Sequence, residues 1–283
     1  MAGAEDMVRE LHVYECRGTG YPRDEPSCEG FLGLWPEPPF YYLFFDRQSL
    51  SSVTQWVGEQ EGWLLGDTYR LRYDQWQEVA SVRHRVGPFV LTAALSSRGE
   101  SFGPETIPIR LDPGLVFGSG LHASTRGCLL SIADLFRRFQ ITEVVDLGTG
   151  TGILALACAL LGASRVVALD CNPLAVRVAR RNIEMNGLKR TVHLLVGEGL
   201  EMLRDPRRLL IMNIEWPCLK RALQLGDWMS YRWVILSGFL ETQWAELMTL
   251  VPANIRVMHR EDLEGWTTVV ISQDRPSSGA PPE

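Results

Sequence analysis

The sequence predicts an α/β fold in which helices cover both faces of a mostly parallel sheet, with a small α+β domain in front of it. From residue 123 onward, strand-like and helix-like segments alternate along the chain, which is the order that a parallel sheet requires. The strand-like segments, such as "LLIMN", are apolar at successive positions. Strands that are buried on both faces show this continuous pattern. Two adjacent strand-like segments at the end predict an antiparallel pair at one edge of the sheet.

The regular half of the chain divides into segments by periodicity and by its turn residues. The first segments are helix 123–139, strand 143–147, helix 152–161, strand 165–170, helix 173–186 and strand 192–196. A short helix, strand 209–213, a further helix, strand 233–237, helix 240–250 and strands 255–262 and 266–272 follow.

The helix over 173–186 has recognisable signals at both ends. Asn172 can cap it, Pro173 fits its first turn, and Gly187 can end it. An apolar stripe would face the sheet and consists of Ala175, Val178, Ala179 and Ile183. These signals predict one complete strand-helix-strand unit.

The first hundred residues lack this regular alternation. Aromatic segments "LHVYE", "FYYLFF" and "TYRLRY" predict strands, and "SLSSVTQWVGEQ" predicts a short helix that starts near Ser49 or Ser51. "PFVLTAAL" and "IPIRLD" predict two further strands joined by the polar segment "SSRGESFGPET". We place an aromatic-rich α+β domain with its linker at 1–98, a second domain at 99–273 and a disordered tail at 274–283. A fragment that begins near Ser96 is expected to fold and to keep its ligand-binding crevice, because the parallel sheet is complete without the first domain, but to lose activity on its target.

The composition indicates a globular protein. Its net charge of -6 argues against a dedicated nucleic-acid binder and suits a basic protein partner. The start "MAGAEDMVRE" lacks the pattern of a signal peptide, and the longest apolar run, 153–163, is too short to span a membrane. The six cysteines are widely spaced, so we expect reduced thiols in the cytoplasm, with neither a metal site nor disulfides.

The segment "VVDLGTGTGILALA" at 144–157 predicts a buried strand, a glycine-rich turn and a helix. A nucleoside-triphosphate loop would need a lysine after the glycines, and none follows here. A dinucleotide fold would need G-x-G-x-x-G, whereas Gly148, Gly150 and Gly152 follow G-x-G-x-G. Asp170 ends the next strand, where a carboxylate can bind the hydroxyls of an unphosphorylated ribose. This combination is similar to that of Rossmann-like class I methyltransferases, which use S-adenosylmethionine; a plain strand-to-helix turn is the alternative.

A longer segment narrows the family. "LDPGLVFGSGLHASTRGCLLSI" at 111–132 resembles the D-P-G-x-x-F-G-[TS]-G-x-H-x-[TS]-T segment of the PrmA family, bacterial methyltransferases of ribosomal protein L11. "DLGTGTGILALA", "ALDCNPLAV", "NIEWPCL", "LSGFL" and "EGWTTVV" resemble further family segments in the same order. The resemblance covers about 107 to 273. The first hundred residues match only in size and in the element "DQW" at 74–76.

The resemblance implies a set of cofactor-binding residues. Family members bind S-adenosylmethionine through positions that correspond to Thr125, Gly148, Asp170 and Asn213. We add Gly150 of the same turn and Phe117 of the F-G-S-G segment as expected cofactor contacts. Asn213 is also the first candidate for the active site, since it would stand at the carboxyl end of a parallel strand, where such sheets bind their ligands.

The chain departs from the family pattern at two places. In "DCNP", Asn172 replaces an acid, and as a helix cap it serves equally. In "NIEW", Glu215 and Trp216 stand where the family tends to have an apolar residue and a small or polar one. Glu215 could hold a substrate ammonium beside the crevice, or it could be a solvated surface residue. The "NIEW" departure leaves the identity of the substrate open.

His122 invites the role of general base, but it can equally order the F-G-S-G loop over the cofactor. Methyl transfer from a sulfonium needs chiefly in-line positioning, and desolvation lowers the pKa of a lysine amine. No acid/base pair is therefore required.

The resemblance predicts a cytoplasmic, monomeric methyltransferase that acts on amino groups, on a lysine side chain or an N-terminal amine, of a basic ribosomal protein. The first domain would recognise this substrate, and neither a membrane nor a nucleic acid is an expected partner. Two alternatives remain open. The same scaffold could methylate another protein, a small molecule or RNA, or it could be an inactive module that only binds the cofactor.

Overall fold

The structure is a computed structural model that describes residues 10–20, 22–37, 39–72, 83–93, 103, 105–112, 116–197, 199 and 209–273. The chain divides into two compact units. The first comprises Met1–Ser81 with Asn172–Leu174, and the second comprises Val82–Cys171 with Ala175–Glu283. A search of the described residues finds no helix with the length and apolarity that a membrane span requires.

The first unit is an antiparallel four-stranded sheet with one helix. Its elements are β1 (Glu10–Arg17), β2 (Phe31–Glu37), β3 (Phe40–Phe45), helix α1 (Leu50–Glu59) and β4 (Leu64–Arg72), with the sheet order β2-β3-β1-β4. Trp56 and Val57 of α1 are buried in one core with Leu43 and Phe45 of the sheet. Burial of this apolar surface stabilises the pairing of helix and sheet.

Strand β2 is an element of the first unit that the sequence analysis does not predict, because the segment contains Pro36 and proline is disfavoured inside a sheet. Pro36 lies within β2 and pairs with Tyr41 of β3. Since β2 is an edge strand, Pro36 can lack its N–H without interrupting the sheet. The other three strands and the helix confirm the predicted segments, and Ser49 stands at the N-cap of α1.

The second unit contains the predicted α/β sheet. Its strands are β8 (Glu143–Leu147), β9 (Arg165–Asp170), β10 (Val192–Val196), β11 (Leu209–Asn213), β12 (Trp233–Leu240), β13 (Arg256–Leu263) and β14 (Trp266–Ser272). Its helices are α2 (Ala123–Arg138), α3 (Ile153–Leu160), α4 (Pro173–Met185), α5 (Trp216–Leu225) and α6 (Trp244–Leu250). The seven strands follow the order β10-β9-β8-β11-β12-β14-β13, with parallel pairing from β10 to β12 and antiparallel pairing of β14 with both β12 and β13.

These elements confirm the predicted α/β class and the antiparallel edge pair. One predicted boundary was wrong, because β12 continues to Leu240 where a helix was expected. Phe239 and Leu240 pair with β14 after an irregularity in the register, and a 3-10 turn over Glu241–Gln243 precedes α6. The predicted short helix before β11 and the tail at 274–283 lie outside the described residues.

A second, three-stranded sheet belongs to this unit. It consists of β5 (His84–Val86), β6 (Phe89–Ala93) and β7 (Ile107–Leu111), and β6 and β7 are parallel. Phe89 and Leu91 are buried in the same core as Leu129 and Ile132 of α2. The predicted boundary at 98/99, which lies outside the described residues, assigned β5 and β6 to the first domain. A fragment that begins at Ser96 would lack Phe89 and Leu91 of this core, and its folding stays a prediction.

The topology of the large sheet positions a crevice. From β8 the chain moves outward to β9 and β10 and then returns to β11 on the other side of β8. Such a switch point leaves a ligand-binding crevice at the carboxyl ends of the strands. Asp170 ends β9, Gly148 follows β8, and Asn213 ends β11, so three predicted site residues lie on adjacent strands at this edge.

Candidate functional site

The turn between β8 and α3 contains positions whose backbone conformation and close packing only glycine fits. Gly148 and Gly150 have φ angles of 75° and 53°, in the left-handed region that residues with a Cβ atom rarely adopt. A Cβ atom on Gly148 would overlap the side chain of Ile214, and one on Gly150 would lie 2.5 Å from the backbone oxygen of Phe117. The turn therefore packs directly against the segments that contain Ile214 and Phe117.

Hydrogen bonds fix the turn to the end of β9. The backbone N–H groups of Gly148 and Thr149 both donate to the carbonyl oxygen of Leu169, at 2.9 Å each. The N–H of Gly150 donates to Oδ2 of Asp170 at 2.9 Å. The Asp170 carboxylate is partly exposed at the crevice, and the turn holds its orientation.

Asp146 of β8 is a buried carboxylate below the turn, with an exposed fraction of 1%. Its Oδ2 accepts hydrogen bonds from Oγ1 of Thr149 at 2.6 Å and from the N–H of Ala155 at 3.2 Å. Desolvation raises the pKa of Asp146 to about 6, against the lowering effect of these two hydrogen bonds, and the charge of Asp170 raises it further. Its Oδ1 has no hydrogen-bond partner among the described residues.

Asn213 and Thr125 meet on the other side of the turn. Nδ2 of Asn213, at the end of β11, lies 3.4 Å from Oγ1 of Thr125 in the first turn of α2. Oδ1 of Asn213 is buried and finds no hydrogen-bond partner in the part of the chain that the structure describes. Buried amide oxygens are seldom left unpaired, so this atom fits a site that a ligand completes.

The segment with Phe117 is tied to the turn through Thr151. The N–H of Thr151 donates to the carbonyl oxygen of Phe117 at 3.1 Å, and its Oγ1 donates to that of Gly118 at 2.7 Å. The side chain of Phe117 is 49% exposed. An apolar ring that is held at the rim of a crevice and remains half exposed is suited to cover a ligand.

His122 is the N-cap of α2. Its Nδ1 accepts a hydrogen bond from the N–H of Ser124 at 3.3 Å, and its ring packs edge-on against Phe117 and Trp266 at centroid distances of 5.1 and 4.6 Å. Desolvation lowers the pKa of His122, as does the charge of Arg126. A neutral ring whose Nδ1 caps the helix orders this loop rather than accepting a proton at that nitrogen.

Glu215 and Trp216 follow Asn213 at the start of α5. Glu215 occupies the N-cap position, is exposed, and forms no side-chain cap in the described structure. The ring of Trp216 packs against Phe239 at a centroid distance of 5.9 Å. Both residues thus lie directly beyond Asn213 in the chain, but no hydrogen bond between described residues joins Glu215 to Asn213.

Sequence reasoning missed several residues that build the site. Asn182 of α4 is fully buried and donates from Nδ2 to the carbonyl oxygen of Thr151 at 2.8 Å. Asn182 lies seven residues after Ala175 and three after Ala179, on the buried stripe of α4. A polar residue on such a stripe could have indicated a buried hydrogen bond. The ion pair between Arg126 and Glu264, with 2.5 Å between Nη2 and Oε1, joins residues far apart in the chain and has no local signal.

Comparisons with known proteins agree with this geometry. The family model described as "Ribosomal protein L11 methyltransferase (PrmA)" matches residues 84–274, which begins at β5. The ribosomal protein L11 methyltransferase of Rhizobium rhizogenes is 35% identical over 199 residues, covering 68% of this chain and 67% of that protein. The one of Agrobacterium fabrum is 34% identical over 200 residues and covers 67% of each chain.

A solved structure is similar as well. The crystal structure of the ribosomal protein L11 methylase from Lactobacillus delbrueckii subsp. bulgaricus superposes with a TM-score of 0.60 at 25% identity, covering 67% of this chain and 96% of that one.

The raised pKa of Asp146 predicts a pH dependence of stability. The native state keeps the Asp146 proton up to about pH 6, whereas the unfolded chain loses it near pH 4. The contribution of Asp146 to the free energy of unfolding is therefore complete below about pH 4 and is lost as the pH rises through about 6. Relative to the Asp146→Asn variant, the wild type should become less stable across this window, as measured by urea unfolding.

Asp134 provides a control with the opposite sign. Desolvation raises its pKa, but the ion pairs with Arg137 and Arg138 outweigh this effect and lower it. Its contribution should therefore be lost as the pH falls below about 4. A difference between the wild type and the Asp146→Asn variant that does not change between pH 4 and 7 would contradict the raised pKa.

Proposed function

The chain belongs to the PrmA family of ribosomal protein L11 methyltransferases, and from this premise we propose that it methylates amino groups of a basic ribosomal protein, the counterpart of L11. It is a methyltransferase with the class I fold. The observation that carries the proposal is the arrangement of Asp170, Gly150 and Asn213 at the edge of the crevice. The N–H of Gly150 orients the Asp170 carboxylate, and Asn213 has a buried oxygen without a hydrogen-bond partner among the described residues.

The residues at the crevice fit S-adenosylmethionine, which supplies a methyl group activated on a sulfonium. Asp170 would accept hydrogen bonds from the ribose hydroxyls, and its charge disfavours a 2′-phosphate. The Gly148 and Gly150 backbone, without Cβ atoms, would border the methionine moiety. Thr125 and Asn213 would complete the site, and the half-exposed ring of Phe117 would cover it.

The acceptor amine must be neutral to react, and the crevice can favour that form by desolvation, which lowers the pKa of a lysine ammonium. A base such as His122 is not required when desolvation already favours the neutral amine, and the Nδ1 of His122 instead caps α2. The main contribution of the protein is to position the acceptor nitrogen in line with the methyl group and to exclude water. Asn213, at the end of β11, is the residue that we place closest to this reaction.

Recognition of the substrate falls to other parts of the chain. The net charge of -6 favours a basic protein substrate over a nucleic acid. We assign substrate recognition to Met1–Ser81, the part of the first unit that precedes the family match at 84–274. A ribosomal substrate places the reaction in the cytoplasm, where we expect the enzyme to act as a monomer.

A methylation assay tests this function. The purified full-length protein is incubated with labelled S-adenosylmethionine in three separate reactions. These contain purified ribosomal protein L11, ribosomal RNA and a cell lysate, respectively. Label should enter L11 at lysine or N-terminal amines, as located by mass spectrometry. Label in RNA or in a small molecule instead would assign the fold to a different substrate, and the absence of label from every fraction would contradict an active enzyme.

Cofactor affinity tests the role of Asp170. Charge-assisted hydrogen bonds contribute about 1.5–3 kcal/mol each, so the Asp170→Ala variant should bind S-adenosylhomocysteine at least about tenfold more weakly than the wild type. Calorimetry measures this change, with Asp134→Ala as a control that removes a carboxylate from the distal part of α2. Equal affinity of the wild type and the Asp170→Ala variant would refute the ribose contact, and tighter binding of NAD than of S-adenosylhomocysteine would refute the cofactor.

Glu215 is proposed to contact a positively charged group of the substrate. The Glu215→Gln variant keeps the shape and removes the charge, so KM for the protein substrate should rise while affinity for S-adenosylhomocysteine stays level. Glu184→Gln, which removes an exposed carboxylate from α4, is the matched control. If steady-state kinetics of the Glu215→Gln variant equal those of the wild type, Glu215 is a solvated surface residue.

A further inference from the structure

Asn182 of α4 and Asn186, the residue directly after α4, occupy the position of a missing strand beside β7. In the three-stranded sheet, β7 is an edge, and an edge strand leaves alternate backbone groups unpaired. The side-chain amide of Asn186 bonds both backbone groups of Arg110, accepting from its N–H at 3.0 Å and donating to its carbonyl oxygen at 2.7 Å. The Oδ1 of Asn182 accepts from the N–H of Asp112 at 2.8 Å.

The spacing of the two elements explains why both asparagines fit. Asn182 and Asn186 are four residues apart, and the hydrogen bond from the N–H of Asn186 to the carbonyl oxygen of Asn182 at 3.1 Å continues the helical pattern. Four residues of helix advance about 6 Å. Arg110 and Asp112 are two residues apart, which in a strand is about 6.6 Å. The helix can therefore present one amide to each of two successive N–H groups on the same edge.

Asn182 has a second contact that Asn186 lacks. Its Nδ2 donates to the carbonyl oxygen of Thr151 at 2.8 Å, and both Asn182 and Thr151 are fully buried. Thr151 in turn donates to the carbonyl oxygens of Phe117 and Gly118. A single amide thus joins the glycine-rich turn to Asp112 at the end of β7.

We propose that Asn182 is a positioning residue for the S-adenosylmethionine crevice, and this inference rests on the proposed function. The side chain holds the carbonyl of Thr151, and Thr151 holds Phe117, so the turn and the Phe117 segment share one anchor. The contact between them is tight, since a Cβ atom on Gly150 would lie only 2.5 Å from the Phe117 oxygen. A shift of the turn therefore changes the shape of the crevice. Asn186 instead holds Arg110, and a shift of Arg110 alone does not move the turn.

The test compares two asparagine variants of the full-length protein. Asn182→Ala and Asn186→Ala each remove side-chain amide hydrogen bonds that are at least partly buried, so both should unfold at lower urea concentration than the wild type. Only Asn182→Ala should weaken S-adenosylhomocysteine binding, by about tenfold. This variant leaves the buried carbonyl oxygen of Thr151 unpaired, which is costly, and so releases the turn that borders the crevice. Equal losses of affinity in both variants, or no loss in Asn182→Ala, would show that Asn182 only stabilises the fold.

A second variant applies if Asn182→Ala does not fold. Asn182→Asp keeps the shape and the acceptor for the Asp112 N–H, but at neutral pH it replaces the donor toward the Thr151 oxygen with an acceptor. Its affinity for S-adenosylhomocysteine, relative to the wild type at the same pH, should be low at pH 8 and recover toward pH 5. At the lower pH the protonated carboxyl group regains a donor. A relative affinity that does not change with pH would contradict the proposal.

Hydrogen exchange separates this inference from the proposed function. In the ligand-free protein, the amide of Thr151 should exchange faster in Asn182→Ala than in Asn186→Ala or the wild type, since its bond to the Phe117 oxygen loosens. If the wild type binds no S-adenosylhomocysteine, the proposed function fails, and these exchange rates still decide whether Asn182 holds the turn. Equal Thr151 exchange in all three proteins would overturn the proposal.

Discussion

The arrangement of the crevice depends on the close packing of one glycine-rich turn against its neighbours. The turn between β8 and α3 can pass beside Ile214 and Phe117 only because Gly148 and Gly150 have no side chain. The same turn donates three backbone hydrogen bonds to the end of β9, two to Leu169 and one to Asp170. These constraints locate the carboxylate of Asp170, the start of α3 and the rim at Phe117 relative to one another.

The polar groups around the turn are held by burial as well as by hydrogen bonds. Asp146 is enclosed below the turn, where desolvation raises its pKa, and its contacts with Thr149 and Ala155 link β8 to the turn and to α3. Asp146 and Asn213 each have a buried oxygen that forms no hydrogen bond with any residue that the structure describes. Folded proteins seldom leave such atoms unpaired, and their presence on neighbouring strands is consistent with a crevice that a polar ligand completes.

The family match and the second unit start within two residues of each other. The match starts at residue 84, and the second unit starts at Val82, because β5 and β6 contribute Phe89 and Leu91 to the core shared with α2. The match thus follows a shared hydrophobic core rather than the run of polar residues at 96–106. A polar segment between two strands is a connection within a unit when the strands on its two sides pair with each other, as β6 and β7 do.

The sequence by itself determined the helices and strands of the seven-stranded sheet, apart from the end of β12, and the residues at the carboxyl edge of that sheet. Local signals suffice there: continuous apolar strands, the cap at Asn172 with its bond to the Leu174 N–H, and the glycines followed by Asp170. The tertiary structure alone decided which strands share a core, why Pro36 is tolerated at an edge, and how Asn182 links the turn to the end of β7. These properties depend on contacts between residues far apart in the chain, such as Asn182 with Asp112 and Thr151. Periodicity and spacing report only the few residues around each position, so they cannot reveal such pairs.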